Sequence, residues 1–145
     1  MTSRLQMAAD KGCNGVEPDV MDAYDNGSET LVPITAQHQL TYNKFIASKA
    51  HELGLAVGLK NDIGQLGLLV NDFDFAINEE CFYYSECTGY STSFIAQDKP
   101  VFGVEYKEDK ADPALFCPKA LSMKFSWQLK NLAMDAYRVG CEKYA

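Results

Sequence analysis

Long hydrophobic runs are missing from this sequence. Purely apolar stretches such as Leu68-Leu69-Val70 fall far short of the roughly 20 residues that span a bilayer. The opening segment, Met1 to Gly15, carries no apolar stretch of signal-peptide type and looks like the tail of a helix, as if the chain were entered partway. Basic clusters are absent too. The 13 Lys and Arg are outnumbered by 20 Asp and Glu, for a formal charge of −7. That argues against a partner presenting phosphates, whether nucleic acid or anionic membrane, and suits a cationic one. Histidine is scarce, with only His38 and His51, and no CxxC pair exists. A zinc site is therefore poorly supported, and no cofactor is expected. The GxGxxG and P-loop signatures of nucleotide folds are also lacking.

What is there is a chain of 145 residues, 47% hydrophobic, enough for one ordinary core. Five cysteines stand at 13, 81, 87, 117 and 141. A disulfide reading pairs Cys81 with Cys87 across a short loop and Cys117 with Cys141 to tie down the C-terminal segment, leaving Cys13 as a buried thiol on a strand. The alternative is a set of buried free thiols. Asn26-Gly27-Ser28 is a glycosylation sequon, which with disulfides fits an oxidising, extracellular setting.

Short strands alternate with helical stretches. Strands are expected at Cys13–Glu17, Ala56–Lys60, Phe73–Asn78, Val101–Glu105 and Phe125–Lys130. Helices are expected from Thr35 to Gly54, with Leu40, Phe45, Ile46, Ala50 and Leu53 recurring near helical spacing, and at about 62–70, 88–97, 113–122 and 131–143. Such alternation implies an α/β fold with parallel pairing. No linker divides it, so residues 1–145 are expected to form a single domain.

Strand parity separates two sets. Val16, Val57, Leu59, Phe73, Phe75, Ile77, Phe102, Val104, Phe125, Trp127 and Leu129 are apolar. Gly15, Glu17, Gly58, Lys60, Asp74, Ala76, Asn78, Gly103, Glu105, Ser126, Gln128 and Lys130 are small or polar. A doubly wound sheet would be apolar on both faces. A polar set growing more so toward the strand ends reads as the interior of a (β/α)8 TIM barrel opening into a site. Such a barrel takes about 250 residues, so these five strand–helix units are expected to be its C-terminal part, N-terminally incomplete.

Polar groups stand at each strand end, in Gly15-Val-Glu-Pro-Asp19, Gly58-Leu-Lys-Asn-Asp62, Ile77-Asn-Glu-Glu-Cys81, Gly103-Val-Glu-Tyr106 and Gln128-Leu-Lys-Asn131. Glycosidic cleavage requires two carboxyl groups, one to protonate the leaving oxygen and one to act as nucleophile or base. The strings "KGCNGVEPDVMDAY", "AHELGLAVGLKNDIGQL", "DFDFAINEECFYYSEC", "KPVFGVEY" and "LKNLAMDAYRVGC", in order over nearly the whole chain, resemble glycoside hydrolase family 114, the endo-α-1,4-polygalactosaminidases. The resemblance implies a secreted, metal-free (β/α)8 barrel that cuts α-1,4-linked galactosamine polymers.

The family's catalytic-acid aspartate, in Val-Glu-Pro-Asp-Asn, falls on Asp19, and the glutamate of its Asn-Glu-x-Cys motif falls on Glu79. Here the residue after the aspartate is Val20 rather than Asn. Simple parity instead turns Asn78 and Glu80 inward, so Glu79 and Glu80 compete, as do Glu17 and Asp19. Substrate contacts are expected from Glu17, Asp22, Tyr24, Lys60, Asp62, Asn78, Glu105 and Lys130. A buried ion-pair network is the other reading of Lys60, Asp62, Glu105 and Lys130. Tyr24, Tyr83, Tyr84, Tyr90 and Tyr106 are candidates to stack on sugars. The expected partner is a polysaccharide, a cationic amino-sugar polymer, bound by a monomeric full-length protein. Two rival functions remain: an inactive carbohydrate-binding relative, suggested by Val20 and the short chain, and a complete intracellular α/β protein.

Overall fold

The helix expected after Thr35 forms as α2, Ala36–Glu52. The structure is a computed structural model that describes residues 1–25 and 32–145, so the Asn26-Gly27-Ser28 sequon lies outside the described residues. Thr35 Oγ1 accepts from His38 N at 3.1 Å, and the His38 ring returns a contact to Thr35 N at 3.5 Å, a capping box closed by histidine. Gly54, with φ +71°, stops the helix as a left-handed residue. The buried face is rotated from the apolar reading. Gln39, Asn43, Ile46, Ala47 and Ala50 point inward, while Phe45 is exposed against Tyr42, ring centroids 6.5 Å apart. Polar residues are accepted inside because they bond to one another: Gln39 donates to Asn43 at 2.7 Å, and Asn43 to Met21 O at 2.8 Å.

Two compact units divide the chain, Met1–Phe75 and Ala76–Ala145. The first contains α1 (Thr2–Asp10), β1 (Gly15–Val16), α2, β2 (Ala56–Lys60) and α3 (Leu66–Leu69), the last entered through a 3-10 turn at Ile63–Gln65. β1 and β2 run parallel, Gly15 beside Ala56 and Val16 beside Val57. The expected first strand is trimmed to two residues. Cys13 precedes it and is an exposed free thiol, not the buried one expected, because the chain is still leaving α1 there: Cys13 N donates to Ala8 O.

The second unit is built on β3 (Phe75–Glu79, whose first residue closes the first unit), β4 (Val101–Tyr106), β5 (Ser126–Lys130) and β6 (Val139–Gly140), with α4 (Thr88–Thr92) and α5 (Pro113–Ser122). β3, β4 and β5 are parallel neighbours in that order, and β6 is antiparallel to β5. The fold is thus α/β with mostly parallel strands. Asp112 caps α5 through Ala114 N at 2.9 Å, with Pro113 in its first turn. The helix expected at 131–143 does not form. Asp135 draws that segment into turns, accepting from Asn131 Nδ2 and Tyr137 N, both at 2.9 Å, and its carbonyl receives the Lys130 ammonium. Local side-chain bonds of this kind compete with helix, and the chain returns as β6. Disulfides join Cys81 to Cys87 and Cys117 to Cys141.

Register corrects the two faces. Asn78 lies beside Gly103 and Gly103 beside Trp127, and partners in parallel strands point the same way. Ala76, Asn78, Val101, Gly103, Glu105, Trp127 and Leu129 therefore share one face, and all are buried. Ile77, Glu79, Phe102, Val104, Tyr106, Ser126, Gln128 and Lys130 share the other, where Phe102 is 41% exposed. Trp127 thus sits with Gly103, not with Phe102. A Cβ on Gly103 would come within 2.1 Å of the indole, so the glycine is the space the ring fills.

Candidate active site

In the first unit, the chain leaves β1 through Glu17-Pro18 and presents Asp19 at the surface, with Glu17 exposed beside it. The last residue of β2, Lys60, has its side chain only 8% exposed and places Nζ 2.9 Å from Asp19 Oδ1. That hydrogen bond, with help from the Val20 backbone and against partial burial, holds the Asp19 carboxyl below its ordinary range. Asp19 is anionic. Val20, next in the chain, takes φ +56°, the left-handed region that a β-branched side chain resists.

Asp62 is drawn inside instead, 1% exposed. Asn43 donates to it at 3.0 Å and Tyr24 at 3.3 Å. Burial, abetted by the nearby charge of half-buried Asp22, pushes its carboxyl up to about 6 despite those bonds. The same environment raises the Tyr24 phenol to about 12. Tyr24, Asp62 and Asn43 are thus one internal network, with Asp22 at its edge.

In the second unit, Glu79 is the last residue of β3 and sits on the half-open face. Tyr106, the last residue of β4 and 3% exposed, donates its hydroxyl to Glu79 Oε1; Met134 Sδ lies 3.8 Å from the same hydroxyl. Asn78 faces the other way, buried, its Oδ1 accepting from Cys81 N at 2.9 Å. The parity that turned Asn78 and Glu80 toward one site is therefore replaced: Asn78 supports the loop, and Glu80 has left the strand with φ +68°. Burial, a hydrogen bond to the Asp109 carboxyl, and the charges of Asp109, Glu105 and Glu79 push Glu80 up to about 7.

Glu105 is 1% exposed and anchors the loop after β3, accepting from Phe82 N at 3.0 Å, Tyr83 N at 3.1 Å and Trp127 Nε1 at 3.3 Å. Burial raises its carboxyl while these donors oppose the shift. Lys130, on the Glu79 face, reaches the Asp135 carbonyl. Of the tyrosines proposed to stack, Tyr90 and Tyr106 are interior, whereas Tyr83 and Tyr84 are exposed, edge to face at 4.9 Å. A cleft of about 230 Å³ lies beside Tyr83, floored by Phe82, Leu115 and Phe116 and rimmed by Asp109.

The sequence reading did not single out Asp109 or Met134, and gave Tyr106 only a stacking role; no spacing in the chain signals these contacts, which depend on how β3, β4 and the turn after β5 meet. Among the described residues, no group of three or more His, Cys, Asp or Glu side chains could hold a metal ion, and no helix is long and apolar enough to cross a membrane.

Comparison with known structures places this geometry among glycoside hydrolases. Aspergillus fumigatus Ega3, in its crystal structure with galactosamine, superposes with a TM-score of 0.86 at 33% identity, covering 97% of this chain and 59% of that one. The glycoside hydrolase domain of PelA from Pseudomonas aeruginosa shares the fold, with a TM-score of 0.64 at 16% identity over 95% of this chain and 61% of that one. The chain thus spans about three fifths of each relative. No curated protein sequence matches. The model of glycoside-hydrolase family GH114 matches residues 1–145, and the chain belongs to that family.

Proposed function

We propose that the chain forms βα units of a (β/α)8 barrel glycoside hydrolase acting, in an extracellular setting, on α-1,4-linked galactosamine polymers, with Asp19 and Glu79 as the catalytic carboxyl groups. The observation that carries this reading is a repeated arrangement. Each carboxyl group stands at the C-terminal end of a strand, where barrel enzymes keep their chemistry. Each is also gripped by the last residue of the following strand: Lys60 at 2.9 Å for Asp19 and Tyr106 for Glu79. The galactosamine bound to Ega3 and the net charge of −7 support a cationic sugar as substrate.

The two grips differ in what they allow. An ammonium beside Asp19 opposes protonation, so Asp19 is the anionic partner, nucleophile or base, that stabilises or attacks the positive sugar carbon. A phenol is neutral and donates its hydroxyl to Glu79 Oε1, so it brings no charge that opposes a proton on that carboxyl group. Glu79 is then the acid that protonates the leaving oxygen. This reverses the assignment that the family resemblance suggested for Asp19.

Asp19→Asn and Glu79→Gln are each expected to lower cleavage of the polymer by about 10²–10⁴-fold, the usual worth of such groups, with unchanged circular dichroism. Glu80→Gln is expected to lose far less. A dead Glu80→Gln beside an active Glu79→Gln would overturn the assignment. Val20 favours a second reading, binding without turnover, since its left-handed backbone adjoins Asp19. Retained binding of galactosamine oligosaccharides with no cleavage by the unmodified chain would establish that reading.

A further inference from the structure

We infer that Glu105 is a positioning residue that ends β3 at Glu79 and holds the turn beyond it; this rests on Glu79 being a catalytic carboxyl group, as proposed above. Glu79 pairs in register with Val104, so a strand that ran on would set Glu80 beside Glu105. The chain turns off instead. Glu80 takes φ +68°, a left-handed backbone that a residue with a Cβ resists and keeps only where its surroundings over-determine it. That determination comes from the amides of residues 80 to 83, each of which has an acceptor. Glu80 N donates to Val104 O at 2.8 Å, and Cys81 N to Asn78 Oδ1 at 2.9 Å. Phe82 N and Tyr83 N then donate to one side chain, reaching Oε1 and Oε2 of Glu105.

Glu105 is suited to this by where β4 puts it. It follows Val104 on the face opposite Glu79 and is 1% exposed, so water competes little for its oxygens. A carboxyl group can accept on both oxygens, and the two neighbouring amides take one each. Oε1 also accepts from Trp127 Nε1 at 3.3 Å, and the Phe82 ring meets that indole edge to face, centroids 5.4 Å apart. The turn is thus drawn to the buried face at the point where Glu79 stays on the half-open one. With the strand end fixed, so is the direction in which Glu79 leaves the backbone. The Cys81–Cys87 bridge ties the two ends of this turn together, whereas Glu105 ties it to the sheet. Glu105 acts only through that backbone and touches no sugar in this scheme.

The test is Glu105→Gln in the intact protein, read by kcat and KM on an α-1,4-galactosamine oligosaccharide well below the thermal midpoint. The amide keeps the shape but has one accepting oxygen, so one of the two turn amides is left facing an N–H. A misplaced catalytic group is expected to lower kcat about 10²-fold with KM little changed. The emission of Trp127, the only tryptophan, is expected to shift as Phe82 withdraws. Trp127→Phe removes the third donor and leaves both turn amides bound; it is expected to lower the thermal midpoint while largely keeping kcat. Hydrogen exchange in the unmodified protein decides the matter should the glutamine variant fold poorly: the Phe82 and Tyr83 amides are expected to be protected, and exchange at open-chain rates would overturn the inference. A folded Glu105→Gln with full kcat, or one whose Trp127 emission is unshifted although kcat is lost, would also overturn it, as would an equal kcat loss in Trp127→Phe. An active Glu79→Gln would instead overturn the catalytic reading of Glu79.

Discussion

Asp19 and Glu79 stand at corresponding places in the two units, each at a strand end and each met by the final residue of the next strand. Lys60 meets Asp19 and Tyr106 meets Glu79. The difference between a cation and a phenol divides the chemistry. The ammonium holds Asp19 as the anion, whereas the phenol brings no charge to Glu79, which on the proposed reading is the acid. The units also differ in how they are held. Both disulfides lie in the second, whereas the first relies on a buried polar chain running from Gln39 through Asn43 to Asp62 and Tyr24. On the proposed assignment, a carboxyl group's role is set by its neighbour more than by its own position in a motif.

The sharpest way to break this comparison is Lys60→Met. Removing a preorganised charge beside a reacting group typically costs about 10²–10³-fold. A loss of that size in kcat/KM is expected, with the acidic limb moving to higher pH as Asp19 loses its cation. A profile that keeps its acidic limb would show that Lys60 does not set the state of Asp19.

Stability sharpens it next. The Cys117–Cys141 bridge spans 24 residues and the Cys81–Cys87 bridge 6, so loop entropy gives about 3 and about 2 kcal/mol respectively. Replacing each pair by serine should show that order in denaturant unfolding, with hydrogen exchange in α2 disturbed less than in α5.

Gly103→Ala, where the added carbon meets buried Trp127 at 2.1 Å, is expected to cost roughly 1–3 kcal/mol. Gly58→Ala meets half-buried Phe75 at 2.3 Å and should cost less, since that ring has room to turn. Equal costs would contradict the difference drawn between the two glycines.

pH separates the carboxyl groups again. Asp62 and Glu80, raised to about 6 and about 7, keep protons in the folded state that the unfolded chain has released. Unfolding free energy should therefore fall as pH rises from about 4 to about 7. Asp62→Asn and Glu80→Gln are each expected to flatten part of that slope. Asp19, lowered, acts oppositely: its contribution is present above the unfolded value near 4 and is lost as pH falls through its folded one. The smallest effect is expected at Val20, where Asn, which tolerates left-handed backbone, should raise stability by up to about 1 kcal/mol. Unchanged thermal midpoints would show that Val20 stores no strain.

Much of this architecture is legible from residues alone. The run of α5 from its Asp112 cap follows local rules that act within one helical turn. The capping of α2 by Thr35 does too, as does the alternation of strands with helices that makes the pairing parallel. Cysteine positions suggested both bridges. The sequence did not decide which way a strand faces. Period-two alternation defines two faces for every strand, but their phase relative to the next strand is a long-range pairing. It was the register of Gly103 beside Trp127, with the indole filling the space of a missing Cβ, that turned Glu105 inward and Glu79 outward. The same pairing brought the Tyr106 hydroxyl to Glu79. A contact between residues 27 positions apart leaves no periodic trace in the chain, because it exists only once two strands have chosen their register.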